Sequence, residues 1–207
     1  MGSYYYLGAQ LPYLVYGQKP PMSSAEFQDL ARPLLSTHDR ELFDLLDLDP
    51  GEKREEGHEP SGPSYAENAP KSGCDFIDRW REWERTLRLN LARQRAQKIK
   101  QEGGGVMVEP PALPTDAVAA VVKAVSATES PFEAELTLDK ARWGAIDALQ
   151  GIDCFARNMV YGYLLKLLLL ERHAMFNNEN GYAEYKTLYA SILGSVQPDS
   201  SSAGEIK

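Results

Sequence analysis

Apolar positions recur every three or four residues through most of this chain, the period of a helix that buries one face. The clearest stripe is Phe76, Trp80, Trp83, Leu87 and Leu91, continued in spacing by Gln94 and Lys98. It predicts a long helix from about Cys74 that ends at Gly103-Gly104-Gly105. Between Ile152 and Phe176 the stripe widens: Phe155, Met159, Tyr163, Leu164, Leu167 and Leu170 line one side, and Leu165, Leu168 and Leu169 nearly close the circle. A helix apolar on most sides is central.

Punctuation supplies the shorter elements. Ser23-Ser24-Ala25-Glu26 has capping-box spacing and predicts a helix to about Arg32, where Pro33 ends or kinks it. Ser36 or Thr37 can cap the next helix, whose apolar face is Leu42, Phe43, Leu45, Leu46 and Leu48 and which Pro50-Gly51 stops. Asp116 or Thr115 caps an Ala/Val helix to about Thr128. Ser130-Pro131-Phe132-Glu133 combines a capping box with proline at the first helical position. The helix it opens reaches Leu149 and allows a break near Leu138-Asp139. A last helix covers about Tyr182 to Leu193. Only Tyr4-Tyr5-Tyr6 is open to a short strand. The predicted fold is all-α, an irregular helical bundle of about six to seven helices with one long basic helix. It forms a single domain over residues 1–207, with a mobile loop at 51–73, a linker at 102–115 and a disordered tail at 197–207. The buried core is expected to include Trp80, Trp83, Phe155, Tyr163 and Leu167.

Composition narrows the function classes. The chain has 207 residues, 43% of them hydrophobic and 25% charged, enough to bury a core. Its formal net charge of -8 argues against nucleic acid as a partner, since phosphate binding needs a basic surface. The longest apolar run, Leu164 to Leu170, is broken by Lys166 and is too short to insert directly in a bilayer. Two cysteines outside any Cys-x-x-Cys pair, and no apolar leader, point to a reducing cytoplasm.

Catalytic patterns are sparse. His38, His58 and His173 are not spaced for zinc, so neither metal nor cofactor is expected. Gly103-Gly104-Gly105 lacks the lysine of a phosphate loop and reads as a helix end. Asp44, Asp47 and Asp49 lack the glycine and terminal glutamate of a calcium loop. Cys154 could be activated by a helix N-terminus, but it reads first as a buried core thiol. Paired carboxylates read as solvated helix surface. The chain is therefore expected to be non-catalytic, with a small cysteine- or carboxylate-dependent hydrolase as a third reading.

The positive signal is the arginine-rich long helix. One reading is a solvated face laced by i,i+4 pairs such as Asp75–Arg79 and Glu84–Arg88. The other is docking on an acidic surface, which arginine's planar fork suits. Arg93, Arg95, Lys98 and Lys100 have no acidic residue one turn earlier, so they are the partner-binding candidates.

Three blocks in order carry a family likeness. The first runs from Tyr4-Tyr5-Tyr6-Leu7-Gly8 to Leu35. The second is Asp75-Phe76 with Trp80-Arg81-Glu82-Trp83-Glu84-Arg85, Leu87-Arg88, Leu91-Ala92-Arg93 and Arg95-Ala96. The third is Trp143, Tyr163-Leu164-Leu165-Lys166-Leu167, Glu171-Arg172, Phe176, Glu179 and Gly181. Together they resemble a bacterial family of undefined function encoded in operons for V/A-type rotary ATPases. That family has been likened to the socket subunit of V-type ATPases, the all-helical piece that joins the rotor shaft to the membrane ring. The resemblance implies a non-catalytic accessory or central-stalk component that couples or assembles the rotor shaft and the membrane ring. The chain is too short for the three-lobed funnel of the socket subunit, which leaves part of that socket or an assembly role. The implied partners are V/A-type ATPase subunits. The implied location is cytoplasmic, or peripheral on the inner membrane through the ATPase. Glu171, Arg172 and Glu179 in the third block are further partner-binding candidates. The alternative is a free-standing cytoplasmic helical adaptor or assembly factor.

Overall fold

The computed structural model describes residues 4–48, 71–102, 116–175 and 186–189, with side chains except at 99–102 and 116. Among the described residues the fold is all-α, as the periodicity predicts. Its helices are α1 (Tyr5–Gln10), α2 (Ser24–Ala31), α3 (Thr37–Phe43), α4 (Asp75–Glu102), α5 (Asp116–Ala127), α6 (Pro131–Gln150) and α7 (Arg157–Met175). A 3-10 turn, Arg32–Leu34, follows α2 at Pro33, and residues 186–189 are helical. The loop at 51–73 falls almost wholly outside the described residues. So do most of the 102–115 linker, the tail after 197 and all but four residues of the last predicted helix.

Capping chemistry sets several starts. The Ser23 hydroxyl accepts from the Glu26 amide and the Glu26 carboxylate accepts from the Ser23 amide, the full capping box. Ser36, rather than Thr37, caps α3 by accepting from Asp39 N–H at 3.2 Å. Ser130 caps α6 with Pro131 in its first turn.

The centre is α7, buried from Val160 through Leu165 and again at Leu167, Leu169 and Leu170. It packs against α6 and α2. Around it lie Leu7, Phe27, Phe43, Phe76, Ile77, Trp80 and Ile146. The Phe27 ring meets Tyr163 at 4.8 Å and Phe43 at 6.0 Å. The Tyr163 hydroxyl donates to the Pro12 carbonyl at 2.9 Å, and its burial pushes its pKa up to about 12. A smaller cluster, Leu87, Leu91, Val118, Val122 and Leu138, joins α4, α5 and α6. Helices α4 and α5 run in the same direction, with Trp83 beside Ala117 and Val121, and Lys98 beside Ser126.

Two alternatives that the sequence leaves open are decided, and other expectations are corrected. Tyr4-Tyr5-Tyr6 forms no strand; Tyr5 opens α1, and Tyr4 is held by its own N–H donating to the Phe155 carbonyl at 2.8 Å. Helix α6 does not break at Leu138-Asp139, because Asp139 is paired there with arginines and no proline or glycine interrupts it. Helix α3 ends at Phe43, short of Pro50, and turns so that Leu45 faces outward. The apolar segment starts its helix only at Arg157. Gly151 takes a positive φ of 72°, which glycine tolerates, and the Asp153 carboxylate accepts from the Phe155 amide at 2.9 Å. That side-chain turn holds Ile152 to Ala156 outside α7 and leaves Phe155 partly exposed instead of in the core. Trp80 is buried as expected, but Trp83 stacks on it from a half-buried position.

Candidate functional site

Helix α4 begins acidic, with Asp75 and Asp78, and its last third carries Arg93, Arg95, Lys98 and Lys100. This order suits the helix dipole, whose negative end favours cations. Arg93 and Arg95 are exposed. Among the described residues neither forms an ion pair. Lys98 is also exposed, but its ammonium donates to the Ser126 carbonyl at 2.8 Å, closing the last turn of α5. The side chain of Lys100 lies outside the described residues.

The third block is used differently. Glu171 faces inward and accepts from the Ser24 amide at 2.6 Å and the Ser24 hydroxyl at 2.7 Å. A carboxylate there satisfies an open N–H of α2 and sits at the positive end of its dipole. Arg172 donates to Asp139 and lies 3.6 Å from Glu135. Both side chains hold α7 to its neighbours. Glu179 lies outside the described residues. The structure leaves Arg93 and Arg95 exposed on the last third of α4, about 200° apart around its axis, and turns the half-buried Glu171 and Arg172 toward neighbouring helices.

Between α4, α6 and α7 lies a charge network whose carboxylates are expected, from their spacing alone, on the surface. Glu84 is 0% exposed, Asp139 1% and Arg142 5%. Arg142 donates to Glu84 at 2.9 Å and to Asp139 at 3.0 Å. Arg88 donates to Glu84 at 2.8 Å, and Arg172 reaches Asp139 from the other side. Burial pushes the Arg142 pKa down, but hydrogen bonds and attraction from Glu84 and Asp139 outweigh it and hold the pKa above its usual value. Three buried atoms here, Asp139 Oδ2, Arg172 Nε and His173 Nδ1, have no partner among the described residues. Tyr16 stands beside them, its ring 6.0 Å from His173 and its hydroxyl donating to the Leu136 carbonyl at 2.9 Å. This network is structural cross-linking: Arg142 of α6 ties to Glu84 of α4, and Arg172 of α7 ties to Asp139 of α6.

A second polar knot surrounds Asp39, which is 7% exposed. The Tyr4 hydroxyl donates to its carboxylate, Arg157 approaches at 3.5 Å, and the Tyr161 hydroxyl donates to its carbonyl at 3.1 Å. Burial pushes the Asp39 carboxyl up. Hydrogen bonds from Tyr4, Ser36 and Arg157 more than offset this and keep its pKa below the usual range. Tyr4 and Tyr161 are pushed up, first by burial and then by the nearby carboxylate. The knot ties α1, α3 and α7 together at one end of the bundle.

Cys154 is exposed in the turn before α7, which corrects its reading as a buried core thiol, while Cys74 is fully buried before α4. Cys154 is not a core thiol because Asp153 and Gly151 hold its segment outside the helix. Among the described residues no three His, Cys, Asp or Glu side chains converge to hold a metal ion. No described helix is long and apolar enough to cross a membrane. In comparisons with known proteins, the chain matches no family model, no curated protein and no solved structure.

Proposed function

We propose that this chain is a non-catalytic helical adaptor that docks on an acidic protein surface through the end of α4. Its setting is the V/A-type rotary ATPase that its three sequence blocks resemble, as an accessory or central-stalk component that couples or assembles the rotor shaft and the membrane ring. The protein works on the cytoplasmic side, bound peripherally through the ATPase. The observation that carries the reading is the pairing state along α4. Arg79, Arg85 and Arg88 have carboxylate partners on their own helix, whereas Arg93 and Arg95 stand exposed without one among the described residues. An adaptor needs rigid helices and outward charge. Here the buried network supplies rigidity and the helix end supplies charge.

The test is Arg93→Glu with Arg95→Glu, leaving Lys98 on its Ser126 carbonyl. Two exposed pairs are worth roughly 1–2 kcal/mol, so affinity for the ATPase should fall up to about thirtyfold. The loss should shrink at high salt, where exposed charges are screened. Co-purification with the ATPase at low and high salt reads this directly. Undiminished recovery of the double variant would leave these arginines as solvated surface and overturn the docking site.

A further inference from the structure

A second surface lies at the opposite end of α4. Tyr5 and Tyr6 of α1 and Ile152 and Phe155 of the turn before α7 are exposed, Ile152 to 98% and Tyr6 to 69%. The Tyr5 and Phe155 rings meet with centroids 4.4 Å apart and join α1 to that turn as a two-ring platform. Contiguous exposed apolar surface of this kind marks contact sites. Phe155 also forms part of the wall of a cavity of about 540 Å³ between α3, the start of α4 and the start of α7. Asp39, Asp75 and Asp153 line it, against one guanidinium, Arg157, and His38. Arg157 is taken up by Asp39, and Asp75 pairs with Arg79 at the rim. Asp153 contributes one oxygen to the Phe155 amide and meets no cation among the described residues.

We propose that this cavity and platform bind an apolar segment of a partner protein that carries an arginine. The arginine enters the cavity and its apolar neighbours lie on Tyr5, Tyr6, Ile152 and Phe155. Charge selects the occupant: Arg157 and Arg79 take up Asp39 and Asp75, which leaves the Asp153 carboxylate without a cation among the described residues, and aromatic ring faces attract cations too. Arginine fits better than lysine because its flat, weakly hydrated guanidinium stacks on rings while donating to carboxylates at its edge. The surface is separate from the basic end of α4. Eighteen residues part Asp75 from Arg93, roughly 27 Å along the helix. The two surfaces can therefore hold different partners, and either can fail without the other.

The test uses the full chain, isotope-labelled, and a capped hexapeptide of glycine, leucine, tryptophan, arginine, leucine and glycine. The same peptide with citrulline in place of arginine is the control. The arginine peptide should shift the amide resonances of Tyr5, His38, Asp153 and Phe155, and the citrulline peptide should bind at least threefold more weakly. Asp75→Asn with Asp153→Asn should remove that difference, since asparagine keeps the acceptor for the Phe155 amide but not the charge. Ile152→Ser, at a fully exposed position, should weaken both peptides. The proposal is overturned by any of three results. The first is no shift at millimolar arginine peptide. The second is equal binding of the two peptides. The third is concentration-dependent broadening of these same resonances without peptide, which would make a second copy of the chain the occupant.

Discussion

Replacing Glu84 by glutamine tests the buried network most sharply. The carboxylate accepts from Arg88 at 2.8 Å and from Arg142 at 2.9 and 3.1 Å, and it is wholly buried. Glutamine keeps the shape and one acceptor but removes the charge. Arg142, itself buried, then faces Asp139 alone, and Asp139 must also serve Arg172. Removing one partner of a buried ion pair costs about 3–5 kcal/mol, because the remaining charge stays desolvated. That is a large share of the roughly 5–15 kcal/mol that holds a domain folded. The stacked Trp80 and Trp83, close to Glu84 on the same helix, make fluorescence in urea a direct reporter. Glu84→Gln should lower the midpoint strongly and nearly equally at low and high salt, since buried pairs are poorly screened. Arg142→Met should also destabilise. The double variant Glu84→Gln, Arg142→Met should lose less than the sum of the two, by roughly 0.5–3 kcal/mol of coupling. A cost below about 1 kcal/mol for Glu84→Gln would mean an ordinary exposed pair and refute the buried network.

Four further outcomes follow from the packing. Trp80→Ala should cost roughly 3–5 kcal/mol in the same urea assay, because the ring is fully buried and its indole N–H donates to the Asp47 carbonyl. A Cβ at Gly8 would meet Phe155 Cδ1 at 3.1 Å and Met159 Cε at 3.2 Å, both movable side chains. Gly8→Ala should therefore be near neutral, helix propensity offsetting crowding, while Gly8→Leu should lower the thermal midpoint by the equivalent of about 1–3 kcal/mol. A thiol reagent should label Cys154 quickly in the native protein and Cys74 only on unfolding; equally rapid labelling of both would contradict the burial of Cys74. The depressed Asp39 pKa means its contribution is complete above the unfolded value near 3.9 and is lost as pH falls through the lower folded value. Urea midpoints should drop between pH 5 and pH 3, and Asp39→Asn should be less stable at pH 5 but show a shallower drop.

Where periodicity and capping act locally, the sequence is a sufficient guide. The Ser23–Glu26 box, the Pro33 turn, the long α4 and the central α7 follow from residues within a turn of one another. The starts and ends that differ from expectation depend on contacts across the chain. Tyr4 is held by Asp39, 35 positions away, and by the Phe155 carbonyl. The delayed start of α7 depends on an Asp153 side-chain turn that an apolar count does not register. Such a count puts Phe155 and Cys154 in the core because it follows the helix period past the point where the helix begins.

The charge network leaves a fainter signal that the same period contains. Trp80, Glu84, Leu87 and Leu91 lie four, three and four residues apart, so Glu84 stands in the buried stripe of α4. Asp139, Arg142 and Ile146 repeat the pattern on α6. A charge inside an apolar stripe either ruins a core or meets an opposite charge there, and two such stripes of opposite sign predict each other. The partner choice, Glu84 with Arg142 across 58 residues, still needs the fold. The same reasoning separates the arginines of α4 by role. Arg88 looks inward from the stripe's edge to a buried carboxylate, whereas Arg93 and Arg95 lie beyond the last carboxylate of that stripe. The change from paired to unpaired arginine along α4 marks where carboxylates leave its stripe, while Lys98 further on still ties the helix to the Ser126 carbonyl of α5.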